Sequence, residues 1–109
     1  MGKRDKKRFK GTQTKPRLSV YRSNNHIYAQ VIDDYSSHTL ISCSTLDTEV
    51  KSKVGNTNTK IASRVVGETI GTRLLQNNIN EILFDRGNKP YHGRIREVAE
   101  GARFVGVKF

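Results

Sequence analysis

The apolar residues of this chain change their spacing partway along, and that change is the strongest limit on its fold. Leu18, Val20 and Tyr21 precede the polar turn Ser23-Asn24-Asn25, and Ile27-Tyr28-Ala29-Gln30-Val31-Ile32 follows it. Branched and aromatic residues flanking such a turn predict a β-hairpin. Asp33-Asp34-Tyr35-Ser36-Ser37 makes a second polar break, after which Thr39 to Thr45 alternates as a third strand does. Short connections make these three strands an antiparallel meander.

Residues 47–58 read as a polar loop marked by Gly55-Asn56. The apolar period then lengthens to between three and four: Ile61, Val65, Val66, Ile70 and Leu74 form one helical stripe. Gly67 and Gly71 lie inside this helix, where each costs up to about 1 kcal/mol relative to Ala, so close packing of the helix backbone on the sheet is expected. Asn77-Asn78 ends the helix. A short strand at Glu81 to Asp85, a loop from Arg86 to Pro90 and a last helix from about Tyr91 complete the chain, with Ile95, Val98, Ala99 and Ala102 on one helical face and Gly106 at its close. The expected fold is α+β: one two-layer domain of order β-β-β-α-β-α, with helices packed on a mixed sheet. The crossover helix is long enough to bring the fourth strand parallel to a neighbour.

With 109 residues there is room for one core, and an apolar fraction of 34% makes that core thin. Stability that leans on a partner follows. The charge identifies the kind of partner: 20 Lys and Arg against 10 Asp and Glu leave +10. Residues 1–17 hold eight of those cations and one acid, so +7 of the +10 lies in a basic arm. The division expected is an arm over residues 1–16, disordered until phosphates neutralise it, and a nearly balanced domain over residues 17–109. A polyanion is the natural ligand, and a membrane is not, because there is neither a long apolar run nor a strongly amphipathic basic helix. The lone Cys43 excludes an intramolecular disulfide and a multi-thiolate zinc site. The N-terminus has no apolar core of a secretory signal and matches an organellar transit peptide poorly.

Three groups of residues carry the binding chemistry. In the arm, Lys3, Arg4, Lys6, Lys7, Arg8, Lys10, Lys15 and Arg17 supply charge for phosphates, and Phe9 supplies a ring to stack or insert near bases. In the hairpin, Arg22, Ser23, Asn24, Asn25, His26, Tyr28 and Gln30 gather the donors, acceptors and rings that splayed bases and ribose 2′-hydroxyls require. A solvent-facing strand and turn is the plainer reading of the same residues. At the fourth strand's end, Arg86, Lys89, Tyr91, His92, Gly93 and Arg94 approach a helix N-terminus, whose unpaired amides attract phosphate. Asp85 reads instead as half of an ion pair shaping the loop. A nuclease pair of Asp85 and His92 is disfavoured because the other acids are dispersed, and His26, His38 and His92 lack metal-ligand spacing. No catalytic, metal or cofactor site and no small-molecule substrate is expected; a general nucleic-acid chaperone is the alternative of another class.

The segments KPRLSVYRSNNHIYAQVIDD (residues 15–34), STLD (44–47) and FDRGNKPYHGR (84–94) resemble, in order and over nearly the whole chain, the bacterial-type large-subunit ribosomal protein eighteen family. The resemblance implies a mixed sheet with helices, binding to 5S rRNA, and help in seating it beside 23S rRNA among neighbouring large-subunit proteins. It implies a ribosomal location, in a bacterial cytoplasm or in an organelle such as a plastid. Carried over, it puts RNA contacts on the arm, on Arg22 to His26 with Tyr28 and Gln30, and on Arg86 with Tyr91 to Arg94, and more weakly on Ser44, Thr45, Lys53 and Asn56. The chain departs from the family's usual pattern at Asn88 for a glycine, Lys89 for an aromatic residue and Phe104 for an acid.

Overall fold

The computed structural model describes residues 11, 12, 14–23, 26–54, 60–85 and 93–109, with Arg22 and Ser23 described in their backbone alone. Strands β1 (Arg17–Ser23), β2 (His26–Asp33) and β3 (His38–Ser44) are followed by helices α1 (Thr48–Val54) and α2 (Lys60–Gln76), strand β4 (Leu83–Asp85) and helix α3 (Gly93–Phe104). The sheet order is β3-β2-β1-β4, with the meander antiparallel and β4 parallel to β1. The α+β class, the meander and the parallel return of the fourth strand are as the periodicity predicts.

The β2 side chains alternate strictly, with Ile27, Ala29, Val31 and Asp33 buried and His26, Tyr28, Gln30 and Ile32 half-buried on the other face. The buried side meets Leu18 and Val20 from β1, Val66, Ile70 and Leu74 from α2, and Ile95, Val98 and Ala102 from α3 in one core. The sheet therefore has one face under helices and one open. Between Val31 and Ile32 the β2–β3 register slips, so that Val31 faces Ile41 while Ile32 faces Thr39. The extra residue, Leu40, is left unpaired and exposed, as a bulge demands.

Three expectations are corrected. The segment 47–58 is not all loop, because residues 48–54 form α1. Seven residues with Val50 as the buried apolar anchor carry too little periodicity to announce a helix; it starts because the Asp47 carbonyl accepts the Lys51 amide and because Arg73 of α2 grips Asp47 and Glu49. Ile61 is not in the stripe: it is 68% exposed on the first turn of α2, and Ala62 leads the row Val66, Ile70, Leu74 instead. Gly67 and Gly71 do serve close packing, but against α3, not the sheet. A Cβ on Gly67 would overlap the Val98 carbonyl, and one on Gly71 would press on Ala102 and Val105. Gly101 of α3 meets Arg64 and Gly67 from the opposite side. Buried on two sides, α2 has no simple amphipathic stripe to read.

Both long helices stop by the same device. Asn78 (φ 63°) follows α2, with the Ile79 amide donating to Leu74 and that of Asn78 to Leu75; Gly106 (φ 115°) follows α3, with Val107 donating to Ala102 and Gly106 to Arg103. The tail then returns to the start of β4, where the Lys108 amide donates to Asn80 and that of Ile82 to Lys108. Both helices therefore descend from the hairpin end of the sheet to the opposite end.

Two predictions test this packing. Gly67→Ala should lose about 1–3 kcal/mol in urea unfolding, because neither backbone can retreat. Burial pushes the Cys43 thiol up to about 12, so it stays protonated at neutral pH and should label with a disulfide reagent only at the rate of unfolding. Since the folded chain holds this proton more tightly than the unfolded one, the thiol's contribution is complete below pH 9 and is lost as pH climbs towards 12.

Candidate nucleic-acid interface

The interface is built on the open face and on the end of the sheet where β1 and β3 finish. The cross-strand registers put Tyr21, Tyr28 and Ser44 in one row and Ser19, Gln30 and Ser42 in the next. Tyr21 and Tyr28 stack with centroids 5.0 Å apart and planes 11° from parallel. Such pairing holds two rings upright at little entropic cost. Tyr21, 39% exposed, is a residue that sequence reasoning spent on strand propensity alone. The missed signal was its place directly across from Tyr28, which a two-residue turn at Asn24-Asn25 already implies.

At the hairpin end the small polar residues hold the frame. The Thr45 hydroxyl accepts the Ile27 amide at 3.2 Å and lies 2.9 Å from His26 Nδ1. Thr45 is fully buried and positions His26. The Ser44 hydroxyl accepts the Leu46 amide at 3.1 Å and points to Asp47, shaping the turn into α1. Lys53 stands exposed near the end of α1. Gly93 opens α3 with φ 62°, and among the described residues outside its chain neighbours and its own helix backbone nothing stands within 4 Å of where a Cβ would be. Arg94 follows, half-buried.

The root of the arm lies at the opposite end. The Gly11 amide donates to Asp34 Oδ2 at 2.6 Å, its carbonyl accepts the Asp34 amide, and Pro16 is fully buried. Residues 11 to 16, read from the sequence as arm, are thus tied to the sheet wherever they are described. Lys15 is exposed, 3.9 Å from Glu81. Arg17 is spent internally: Nε and Nη2 donate to Asp34 at 2.9 and 3.0 Å, and Nη1 to Asp85 at 2.8 Å. Those bonds, that to Asp34 foremost, hold its pKa above the usual arginine value. Asp85 is thus half of an ion pair, with Arg17 of β1 as a partner that its sequence neighbours do not suggest. Lys3, Arg4, Lys6, Lys7, Arg8, Phe9, Lys10, Asn24, Asn25, Asn56, Arg86, Lys89, Tyr91 and His92 lie outside the described residues, as do the side chains of Arg22 and Ser23.

Among the described residues no group of three or more His, Cys, Asp or Glu side chains could hold a metal ion, and no helix is long and apolar enough to cross a membrane.

An open sheet face with stacked tyrosine rings is an arrangement that suits RNA. Comparison with known proteins agrees: residues 2–109 match the family described as ribosomal L18 of archaea, bacteria, mitochondria and chloroplast. The chain belongs to the ribosomal L18 family. It is 55% identical over 102 residues to the large ribosomal subunit protein uL18c of Guillardia theta, covering 94% of this chain and 95% of that one. The uL18c of Phaeodactylum tricornutum is 56% identical over 102 residues, covering 94% and 76%. The uL18 of Synechocystis is 48% identical over 107 residues, covering 98% and 89%. This L18-family chain thus has relatives in bacterial and in chloroplast ribosomes.

The ion cluster of the L18-family chain can be tested by itself. Arg17→Met should leave Asp34 and Asp85 facing each other without their cation. Because all three side chains retain some solvent, the expected loss is about 2 kcal/mol, below the 3–5 of a fully buried pair. Thermal unfolding of Arg17→Met beside Arg17→Lys measures it, and Lys should restore only part, lacking the fork that spans two carboxylates.

Proposed function

We propose that this chain is a structural constituent of the large ribosomal subunit that binds 5S rRNA and helps attach it beside 23S rRNA, without catalysis. The observation that carries the reading is the coincidence of family with geometry. The described residues singled out for RNA, namely His26, Tyr28, Gln30, Gly93 and Arg94, belong to elements that meet on the open face and at the hairpin end, in a chain of the ribosomal L18 family. The neighbouring segments 24–25 and 86–92 supply further amides, cations and rings by sequence.

Affinity and selectivity divide between two regions. The arm over residues 1–16 carries +6 of the +10 and offers mostly point charges, which neutralise phosphates without reading sequence. The body is close to neutral and presents hydrogen-bonding groups and rings, which discriminate. Six further residues of extended β1 separate Arg17, beside the arm's root, from Ser23 at the turn, a span of about 20 Å. Two separated points of attachment suit a protein that joins two RNA segments. Neither a small-molecule substrate nor a membrane enters this reading.

Filter binding across salt, with 5S rRNA and a scrambled RNA of equal length, tests it. Full-length protein should prefer 5S rRNA at every salt, and affinity should fall by roughly three to five decades between low and moderately raised salt if six to ten phosphates are neutralised. Deleting residues 1–10, which keeps Gly11 on Asp34, should weaken both RNAs alike and flatten the salt slope. Asn25→Ala and Arg94→Ala should narrow the preference for 5S rRNA instead. Equal affinity of the full chain for both RNAs at all salts would overturn the 5S reading and leave a general nucleic-acid binder.

A further inference from the structure

On the β3 side of Tyr28 the open face carries a dent of about 120 Å³, lined by Tyr28, Gln30, Ser42, Ser44 and Asp47. The registers fix its construction. Tyr21, Tyr28 and Ser44 follow one another across β1, β2 and β3, so one face of the Tyr28 ring is backed by Tyr21 and the other borders the dent. Gln30 and Ser42 are directly opposed in the next row and form its continuation. Asp47 closes the far side, its Oδ2 accepting Arg73 Nη1 at 3.1 Å from a guanidinium shared with Glu49. The Ser44 hydroxyl is engaged with Leu46 and Asp47. The Gln30 amide has no partner among the described residues, so a donor and an acceptor stand side by side at the foot of a rigid aromatic wall.

We infer that this dent is a slot for one unstacked RNA base, which lies against the outer face of Tyr28 and is read on its edge by Gln30. The inference rests on the reading of this chain as an RNA binder and names the chemical group that its open face takes. A flat ring backed by a second ring is a stacking platform whose immobilisation is already achieved by the pair, so a base gains the full stacking contact. The dent is the size for one base and not for a duplex, whose bases offer no free face. A primary amide matches the adjacent donor and acceptor on the adenine N6/N7 edge, which makes adenine the preferred occupant. The one acid in the slot's lining, Asp47, is paired with Arg73, and the basic arm of the same chain raises the local concentration of RNA.

The experiment uses the full chain with intact 5S rRNA at salt high enough to screen the arm. Tyr28→Leu should weaken binding about ten- to a hundredfold, the range for removing one base–aromatic stack. Tyr28→Phe should stay within about twofold, because the ring and not the hydroxyl bears the base. Tyr21→Leu, which removes the backing alone, should cost less than Tyr28→Leu. Among 5S rRNAs with single unpaired adenines changed to guanine, one should bind the wild type poorly, and Gln30→Ala should no longer distinguish it. Ultraviolet irradiation of the wild-type complex should place an RNA adduct on Tyr28. A folded Tyr28→Leu protein with wild-type affinity would overturn the slot while leaving 5S binding intact, provided that the wild type still rejects scrambled RNA. Should Tyr28→Leu fail to fold, the wild-type adduct decides: adducts that map elsewhere and spare Tyr28 overturn the inference. A Tyr28 adduct formed equally on 5S and scrambled RNA would uphold the slot and remove the 5S reading.

Discussion

One guanidinium ties together parts of the chain that are far apart in sequence. Arg17 opens β1, the strand that pairs with β2 on one side and β4 on the other, and its fork reaches Asp34 beyond β2 and Asp85 at the end of β4. Asp34 in turn holds the Gly11 amide, so Gly11, the β2–β3 turn and the return of the chain after α2 share one cation. Parallel pairing of β4 is only three residues long, and a ladder that short gains little from its own hydrogen bonds. The charge-assisted bonds of Arg17 and the burial of Ile82 beside it hold the strand in register.

That register decides what the open face offers. The helices cover one side of the sheet through the glycine contacts between α2 and α3, which leave the other side to Tyr21, Tyr28, Gln30, Ser42 and their neighbours. A second arginine, Arg73, does for the far edge what Arg17 does for the near one: it bonds the Ser42 carbonyl, Asp47 and Glu49, and so ties α1 and the end of β3 to α2. The bond to Glu49 foremost keeps its pKa above the ordinary arginine value. Arg17 and Arg73 are thus committed to architecture, each joining carboxylates from segments far apart in the chain.

Much of this was legible in the residues themselves. Alternation over residues 18–45 announced the meander, and Gly106 and Asn78 stood where left-handed backbone ends each helix. The basic arm and the motif segments were sufficient to point to RNA and to the ribosomal family. Other features were hidden for identifiable reasons. Helix α1 has two turns and one buried anchor, so its stability comes from Arg73, twenty and more residues away. Ile61 fits a helical stripe, but the first turn of α2 carries it into solvent.

By itself the sequence determined the alternation of the strands, the places where helices stop, the separation of a charged arm from a near-neutral body, and the class of polymer that such charge attracts. Those properties are local or additive, and a linear chain displays them directly. Only the tertiary structure decided that Arg17 ties Asp34 to Asp85, that Thr45 positions His26 from within, that Gly67 meets α3 and not the sheet, and that Tyr21 backs Tyr28. Each of these depends on which residue arrives opposite another after the chain has turned, and that is set by register and helix packing, which no single stretch of residues contains.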